Sequence, residues 1–426
     1  MVAVSRWQAL HSRWAPLVQP LLRLVTGVGA SAIATYAYLI LVARELGPES
    51  YATFSAFWAT VVILGAGVYI PIEQETARRG VGITDGAGSR HLGGAAVSAA
   101  LLVTVVLGAL LLVSWPALSG FFSDDALLAA ALVLGGLGYS AQFPVRGLLS
   151  AGRRYGRYAS VLGTEALLRV LLVVVLVVVA DPGPAALAAI VGLAALGSAL
   201  AGVSRTGAGS SARGGALNFM RSAGPLIVGA VALQTLLYSG VLVARALAPP
   251  GQAVVAGQLL AAVTVTRIPV FLFQSVESLV VPRIAELAAR GDTDGLRSAV
   301  RRLVGVVALL ATVAALGSAT LGPPLVELMF GPEFRVSHGA MALLGVGTGI
   351  FMLAVAASDI TVSLAGHAQM AVSWLAGLGA GALSLWALED LTLRVTVPLI
   401  VGSCVAAVLA TTAARARLLA AVAASR

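Results

Sequence analysis

Twelve apolar runs, each long enough to cross a bilayer as a helix, occupy most of this 426-residue sequence. A hydrocarbon core of about 30 Å needs about twenty helical residues, and helices satisfy their own backbone amides in lipid. Only 11% of the residues are charged, against about 25% in an ordinary soluble domain. The runs cover residues 20–43, 51–72, 93–115, 127–149, 158–180, 185–203, 224–247, 253–281, 303–322, 339–364, 368–388 and 395–414. We therefore predict an all-α polytopic membrane protein with about twelve transmembrane helices.

The arginines indicate how these runs are oriented across the membrane. The sequence contains 27 basic residues, and all of them are arginine. With the N-terminus in the cytoplasm, most arginines fall in loops on that side, whereas most loop acids fall on the other. Because arginine in short loops sets orientation, we predict a multi-pass membrane protein with cytoplasmic N- and C-termini. The same bias explains the net charge of +9 without a nucleic-acid partner.

The sequence repeats itself after about two hundred residues. The segment Leu41–Arg44 recurs at Leu242–Arg245, and Pro71–Gly80 recurs loosely at Pro282–Gly291. Six runs per half, an even number, insert both halves in the same orientation, with an axis along the membrane normal and a cavity between them. The predicted divisions are an interfacial N-terminal segment 1–20, a first six-helix bundle 21–204, a cytoplasmic linker 205–217, a second six-helix bundle 218–416 and a C-terminal tail 417–426.

Charged residues inside apolar runs are candidate functional residues, because a charge at a helix centre in the bilayer costs about 2.5–3.5 kcal/mol. Five of them lie more than three residues from either end of a run: Glu165, Arg169, Arg267, Glu277 and Asp359. Glu165 and Arg169 have the spacing and order of a favourable helical ion pair. Either the pair is neutralised so that the helix can insert, or Arg169 faces the cavity and meets an anionic group.

Arg267 lies two residues before Pro269, which predicts a kink beside a buried cation. Arg267 either lines a bending cavity wall or pairs with an acid on a neighbouring helix. Glu277 and Asp359 either reach towards the interface or take part in ion coupling. Arg44 and Arg245 occupy corresponding outer helix ends; they either anchor those ends or bind phosphate through the guanidinium fork.

Three segments are informative about the family: Ala43–Tyr51 after the first run, Ala256–Gln258 in the eighth, and Val281–Ala285 at its end. Through their order and spacing, the full sequence resembles polysaccharide-exporting flippases of the multidrug/oligosaccharidyl-lipid/polysaccharide (MOP) exporter superfamily. Members often carry an acid near the position of Tyr238, and this chain has none there. The resemblance implies two helical bundles in a bacterial plasma (inner) membrane that export a lipid-linked sugar by alternating access.

We therefore predict a flippase that moves a lipid-linked oligosaccharide, a polyprenyl-diphosphate-linked precursor of a cell-surface glycan, across the plasma membrane. Arg169, Arg267, Arg44 and Arg245 are the predicted substrate-binding residues, and Glu165, Glu277 and Asp359 the predicted ion-coupling residues. No enzyme activity, cofactor, metal site or nucleic-acid partner is predicted. Membrane lipid and the glycan are the predicted partners; proton or sodium coupling and polysaccharide assembly proteins stay open.

Alternative functions remain at this point. A multidrug exporter of the same superfamily is disfavoured by 6% aromatic residues and two buried arginines. A lipid-II-type exporter is not distinguished from the first choice. A membrane glycosyltransferase or polymerase is disfavoured by the short loops.

Overall fold

The computed structural model describes residues 2–83, 86–203, 213–249 and 251–424, and this part of the chain is helical, with no strand. Short π and 3-10 segments lie at Gly65–Tyr69, Ser119–Phe122 and Leu385–Ala387. The α-helices are α1 (Val2–Leu64), α2 (Ile70–Gly80), α3 (Gly86–Val113), α4 (Trp115–Leu118), α5 (Ala126–Ala151), α6 (Tyr155–Val179), α7 (Pro184–Val203), α8 (Arg213–Leu237), α9 (Ser239–Leu247), α10 (Ala253–Thr266), α11 (Ile268–Ala289), α12 (Thr293–Phe330), α13 (His338–Ser363), α14 (His367–Ser384) and α15 (Leu391–Ala424).

Within the described ranges, 11 helical segments are long and apolar enough to cross a membrane. One of them, Gly29–Gly80, has 52 residues and covers most of the first predicted run and all of the second. Its helix is interrupted at Gly47, where φ is 66° and ψ is 172°. Such a backbone favours glycine, because a Cβ would be strained there. The protein is therefore a multi-pass membrane protein, and the turn predicted between the first two runs is confirmed.

Several helices extend beyond the predicted spans. α1 begins at Val2, well before the first predicted run, and α15 continues to Ala424 through most of the predicted tail. α8 begins at Arg213, inside the predicted linker, whose residues 205–212 lie outside the described part of the chain. Phe219 and Ala223 are fully buried and four residues apart, so this turn of α8 has one packed face. That short face lies outside any long apolar run, which is why the sequence pattern missed it.

Two helices of the second sequence half break within their predicted spans. α8 gives way to α9 at Tyr238, and α10 gives way to α11 at Arg267. Pro269 occupies the first turn of α11, where its missing N–H leaves no hydrogen bond unmade. The kink predicted from Pro269 is confirmed, and Arg267 is the residue between the two helices.

The chain divides into two compact units. The first unit consists of Met1–Leu41, Tyr69–Trp115 and Leu127–Ser222. The second unit consists of Val42–Val68, Pro116–Ala126 and Ala223–Arg426. The residues of α1 up to Leu41 thus belong to the first unit, and those after it to the second. The predicted domain boundaries stay predictions.

Gly257 of α10 packs directly against the backbone of Pro48 within the second unit. A Cβ at Gly257 would overlap the carbonyl oxygen of Pro48, whereas a Cβ at Gly305 of α12 would meet open space. We expect Gly257→Ala to destabilise the protein by about 1–3 kcal/mol, since overpacking displaces backbone. Gly305→Ala is the matched control and should be neutral or stabilising by up to about 1 kcal/mol. Thermal unfolding of both purified variants in detergent tests this; equal melting temperatures would contradict it.

Candidate functional sites

Arg169 and Glu165 form a buried ion pair on α6 in the first unit. Arg169 is 6% exposed and Glu165 is 7% exposed. The guanidinium contacts Glu165 Oε1 directly, and its Nη1 donates to Thr35 Oγ1 at 3.0 Å. The second carboxylate oxygen of Glu165 accepts from Gln142 Nε2 at 2.7 Å. In this arrangement the two charges are neutralised inside the protein, as the first of the two interpretations of the sequence requires.

Polar groups from four helices complete this arrangement, which we call the Glu165 network and define as Thr35, Gln142, Glu165, Arg169 and Ser198. Besides binding Glu165, Gln142 Nε2 donates to Ser198 Oγ of α7 at 2.7 Å. Ser198 in turn donates to a main-chain carbonyl one turn earlier in α7. Burying ionised groups is tolerable only when their hydrogen bonds are made. The network therefore explains how α6 carries two charges through apolar surroundings.

Arg267 is held at the meeting point of two helix breaks in the second unit. Its Nη2 donates to the Leu237 carbonyl oxygen at 2.5 Å, and its guanidinium carbon lies 3.5 Å from the centre of the Tyr238 ring. The Leu237 carbonyl lies at the end of α8, where helical acceptors lose their intrahelical partners. With 7% exposure, Arg267 thus ties the break after α8 to the break after α10.

Arg44 and Arg245, which correspond in the repeat, have different partners in the second unit. Arg44 donates from Nε to the Met329 carbonyl at 2.9 Å and from Nη2 to the Leu328 carbonyl at 2.7 Å. These are orphan acceptors at the end of α12, so Arg44 caps the end of a helix other than its own. Arg245 Nη2 donates to the Gly120 carbonyl at 2.7 Å and to Ser123 Oγ at 2.8 Å.

The remaining predicted coupling residues are less fully described. Asp359 is half-buried, one turn before the end of α13. The side chain of Glu277 in α11 lies outside the described residues. Within the described ranges, no group of three or more His, Cys, Asp or Glu is placed to hold a metal ion. The substrate-binding and coupling roles of all seven named residues stay predictions.

A second buried ionic cluster was not identified from the sequence as a candidate site. Arg146 lies near the end of the predicted run 127–149, and in the structure it is inside α5 with a side chain only 12% exposed. Its Nη2 lies 3.0 Å from Glu73 Oε2 and donates to the Tyr158 hydroxyl at 2.9 Å. That hydroxyl donates to Glu73 Oε1 at 2.7 Å. The only sequence signal was the position of Arg146 two residues after Pro144, near the end of an apolar run.

The repeated segment also places an ion pair at the same position in each half. Glu75 accepts from Arg79 Nε at 2.6 Å, and Glu286 accepts from Arg290 Nη2 at 2.5 Å, both with i,i+4 spacing. Glu75 is buried, whereas Glu286 lies on the surface beyond the membrane span. Hydrogen bonding from Arg283, together with the charge of Arg290, holds the pKa of Glu286 below its ordinary value. The two copies of the segment thus share a Glu–Arg ion pair as well as similar residues.

The fold has known relatives among solved transporter structures. An inward-facing multidrug resistance MATE family transporter of the MOP superfamily superposes with a TM-score of 0.74 at 15% identity, covering 94% of this chain and 98% of that chain. A eukaryotic MATE transporter gives a TM-score of 0.64 at 16% identity, covering 95% of this chain and 99% of that chain. Together with the spans, this confirms the predicted all-α class of about twelve helices in two bundles. The central cavity and the flippase branch stay predictions.

Sequence relatives cover most of the chain without describing an activity. An uncharacterized protein of Mycobacterium bovis is 27% identical over 409 residues, covering 89% of this chain and 88% of its own length. An uncharacterized protein of Mycobacterium tuberculosis is 26% identical over 391 residues, with the same two coverages. No protein-family model matches the sequence.

Proposed function

We propose that this protein is a plasma-membrane flippase for a lipid-linked oligosaccharide, with a polyprenyl-diphosphate anchor and an alternating-access mechanism. Its fold over nearly the whole chain is that of MATE transporters, which supports a transport function. The three segments that resemble polysaccharide exporters support the substrate class. Two of them are in contact, since Gly257 of one packs on Pro48 of the other.

The observation that carries the choice of substrate is the pairing of the buried acids in the first unit. Glu73, Glu75 and Glu165 are all buried, and each lies against arginine: Glu73 against Arg146, Glu75 against Arg79 and Glu165 against Arg169. A cationic drug is recognised by a carboxylate that is not already paired with a cationic side chain. The charge of these three buried carboxylates is already balanced by guanidinium groups, which favours an anionic or uncharged polar substrate.

In this mechanism the arginines hold the diphosphate while the polyprenyl chain stays in lipid. Arg169 and Arg267 are engaged by protein groups in this state, so the diphosphate replaces Glu165 or the Leu237 carbonyl when it binds. At the predicted outer end, Arg44 and Arg245 are the other proposed substrate-binding residues. Protonation of Glu165 would release Arg169 to the substrate, and Glu277 and Asp359 are the other proposed coupling groups.

A multidrug exporter is the second candidate, because a multidrug resistance transporter shares the fold over 94% of this chain. Loss of each function would change a different property of the cell. Loss of a flippase changes where a sugar lipid accumulates, whereas loss of a drug exporter changes the tolerance of the cell to cationic compounds.

Deletion of the gene in its host is the test. We expect a polyprenyl-diphosphate-linked sugar to accumulate on the cytoplasmic leaflet, measured by enzymatic labelling of sugar lipids in sealed inside-out and right-side-out vesicles. Expression of the wild-type chain should restore the normal distribution. Unchanged sugar lipids together with increased sensitivity to cationic drugs would overturn the flippase proposal in favour of the multidrug exporter.

A further inference from the structure

We infer that a cavity of about 250 Å³ in the second unit binds a single sugar residue. The cavity lies beside the end of α9 and the first turn of α10, on the side of the membrane that the sequence predicts to be extracytoplasmic. Alanine side chains form much of its wall, at positions 52, 244, 248, 253 and 256. Because these side chains are small, the helices approach one another and still leave a space between them. The inference rests on the proposed function, since it names where the glycan is recognised.

A chain of hydrogen bonds forms the polar wall of this cavity. Thr53 Oγ1 and Ser123 Oγ are 2.8 Å apart, and Arg245 Nη2 donates to Ser123 Oγ at 2.8 Å. Ser123 and Asp124 both have left-handed backbone, with φ of 55° and 58°. Ser123 caps the end of the 3-10 segment, where its N–H donates to the carbonyl oxygen of Gly120 at 3.2 Å. This turn holds the Ser123 hydroxyl in position beside Thr53 and Arg245.

Arg245 has hydrogen-bonding capacity that the protein does not fill. Its repeat partner Arg44 uses both Nε and Nη2 on main-chain carbonyls. In contrast, the Nε of Arg245 is buried and has no hydrogen-bond partner. A buried donor without a partner costs about 1–3 kcal/mol. A bound group that supplies an acceptor oxygen removes that cost after a small movement of the side chain.

The chemistry of the lining selects a polyhydroxyl ligand. Arg245 donates, the hydroxyls of Thr53 and Ser123 both donate and accept, and the Glu49 carboxylate at the rim accepts. The first turn of α10 adds N–H donors, since Gln252 makes no side-chain cap. Glu49 disfavours a phosphate or carboxylate but suits sugar hydroxyls. The volume is below the roughly 300–1,000 Å³ of pockets for drug-sized ligands, which fits one sugar ring.

Protection of an introduced cysteine tests the site. Cys404 is the single native cysteine and is exposed, so Cys404→Ala provides the background. Thr53→Cys reports on the cavity, and Glu389→Cys, exposed and predicted to lie on the same side, is the matched control. Glucose, galactose, rhamnose and N-acetylglucosamine are offered to the purified protein in detergent, with inorganic phosphate in parallel. Maleimide labelling rates are measured by mass spectrometry.

We expect at least one sugar to slow labelling of Thr53→Cys threefold or more and to leave Glu389→Cys unchanged. Adding Arg245→Met should remove the protection; if that variant does not elute as a folded protein, Ser123→Ala replaces it. The inference is wrong if no sugar of the panel protects, if both cysteines are protected equally, or if phosphate protects and sugars do not. If a sugar protects Thr53→Cys but deletion of the gene leaves sugar lipids unchanged, the sugar site is supported and the flippase proposal is rejected.

Discussion

Replacement of Arg169 by methionine is expected to destabilise the protein by about 3–5 kcal/mol, because it leaves the buried carboxylate of Glu165 without its partner. Glu165 would retain only the hydrogen bond from Gln142. Thermal unfolding in detergent, followed by tryptophan fluorescence, measures the loss. Arg157→Met is the matched control, since Arg157 lies on the same helix and is exposed. Its effect should stay within about 0.5 kcal/mol.

The double variant Glu165→Gln/Arg169→Met separates a structural role from a transport role. It removes both charges at once, so most of the lost stability should return. If Arg169 also binds the diphosphate, this stable double variant should still fail to move the sugar lipid. Wild-type transport by the double variant would instead mean that the pair serves only to let α6 insert. A single Arg169→Met variant as stable as Arg157→Met would contradict the ion pair itself.

The sequence predicted those features that depend on local pattern. Span positions follow from apolar length, the turn from Gly47 and the kink from Pro269, because each needs only a few neighbouring residues. The Glu165–Arg169 pair belongs to the same class, since its partners are four residues apart on one helix. The ion pair expected from this spacing is therefore observed in the structure.

The partners that the sequence did not predict come from distant parts of the chain. Arg44 binds carbonyls 284 and 285 residues away, and Arg245 binds a loop 122 and 125 residues away. No periodicity marks such contacts, so two arginines that look equivalent in the repeat make different contacts in the fold. Arg146 was missed for a related reason: an arginine near a helix end looks like a topology signal whether it points outwards or into a buried cluster.

Replacement of Arg267 by methionine is expected to abolish transport while the protein still inserts and folds. The substitution leaves the Leu237 carbonyl without its donor, at about 1–3 kcal/mol, and removes the contact with the Tyr238 ring, at about 2 kcal/mol when desolvated. Both losses fall on helix breaks, which are the points where helices bend most easily. The measurements are leaflet distribution of the sugar lipid in the complemented deletion strain, and size-exclusion elution of the purified variant.

Two further substitutions show which property of this contact matters. Tyr238→Phe keeps the ring beneath Arg267 and should transport normally, whereas Tyr238→Leu removes it and should transport at least tenfold more slowly. Arg267→Lys keeps the charge but loses the planar fork that reaches carbonyl and ring together, so it should resemble Arg267→Met. If the lysine variant transports normally, charge alone is sufficient, and the geometry at the two breaks is not what the transport cycle requires. If the methionine variant also transports normally, Arg267 is neither a substrate ligand nor a part of the moving joint.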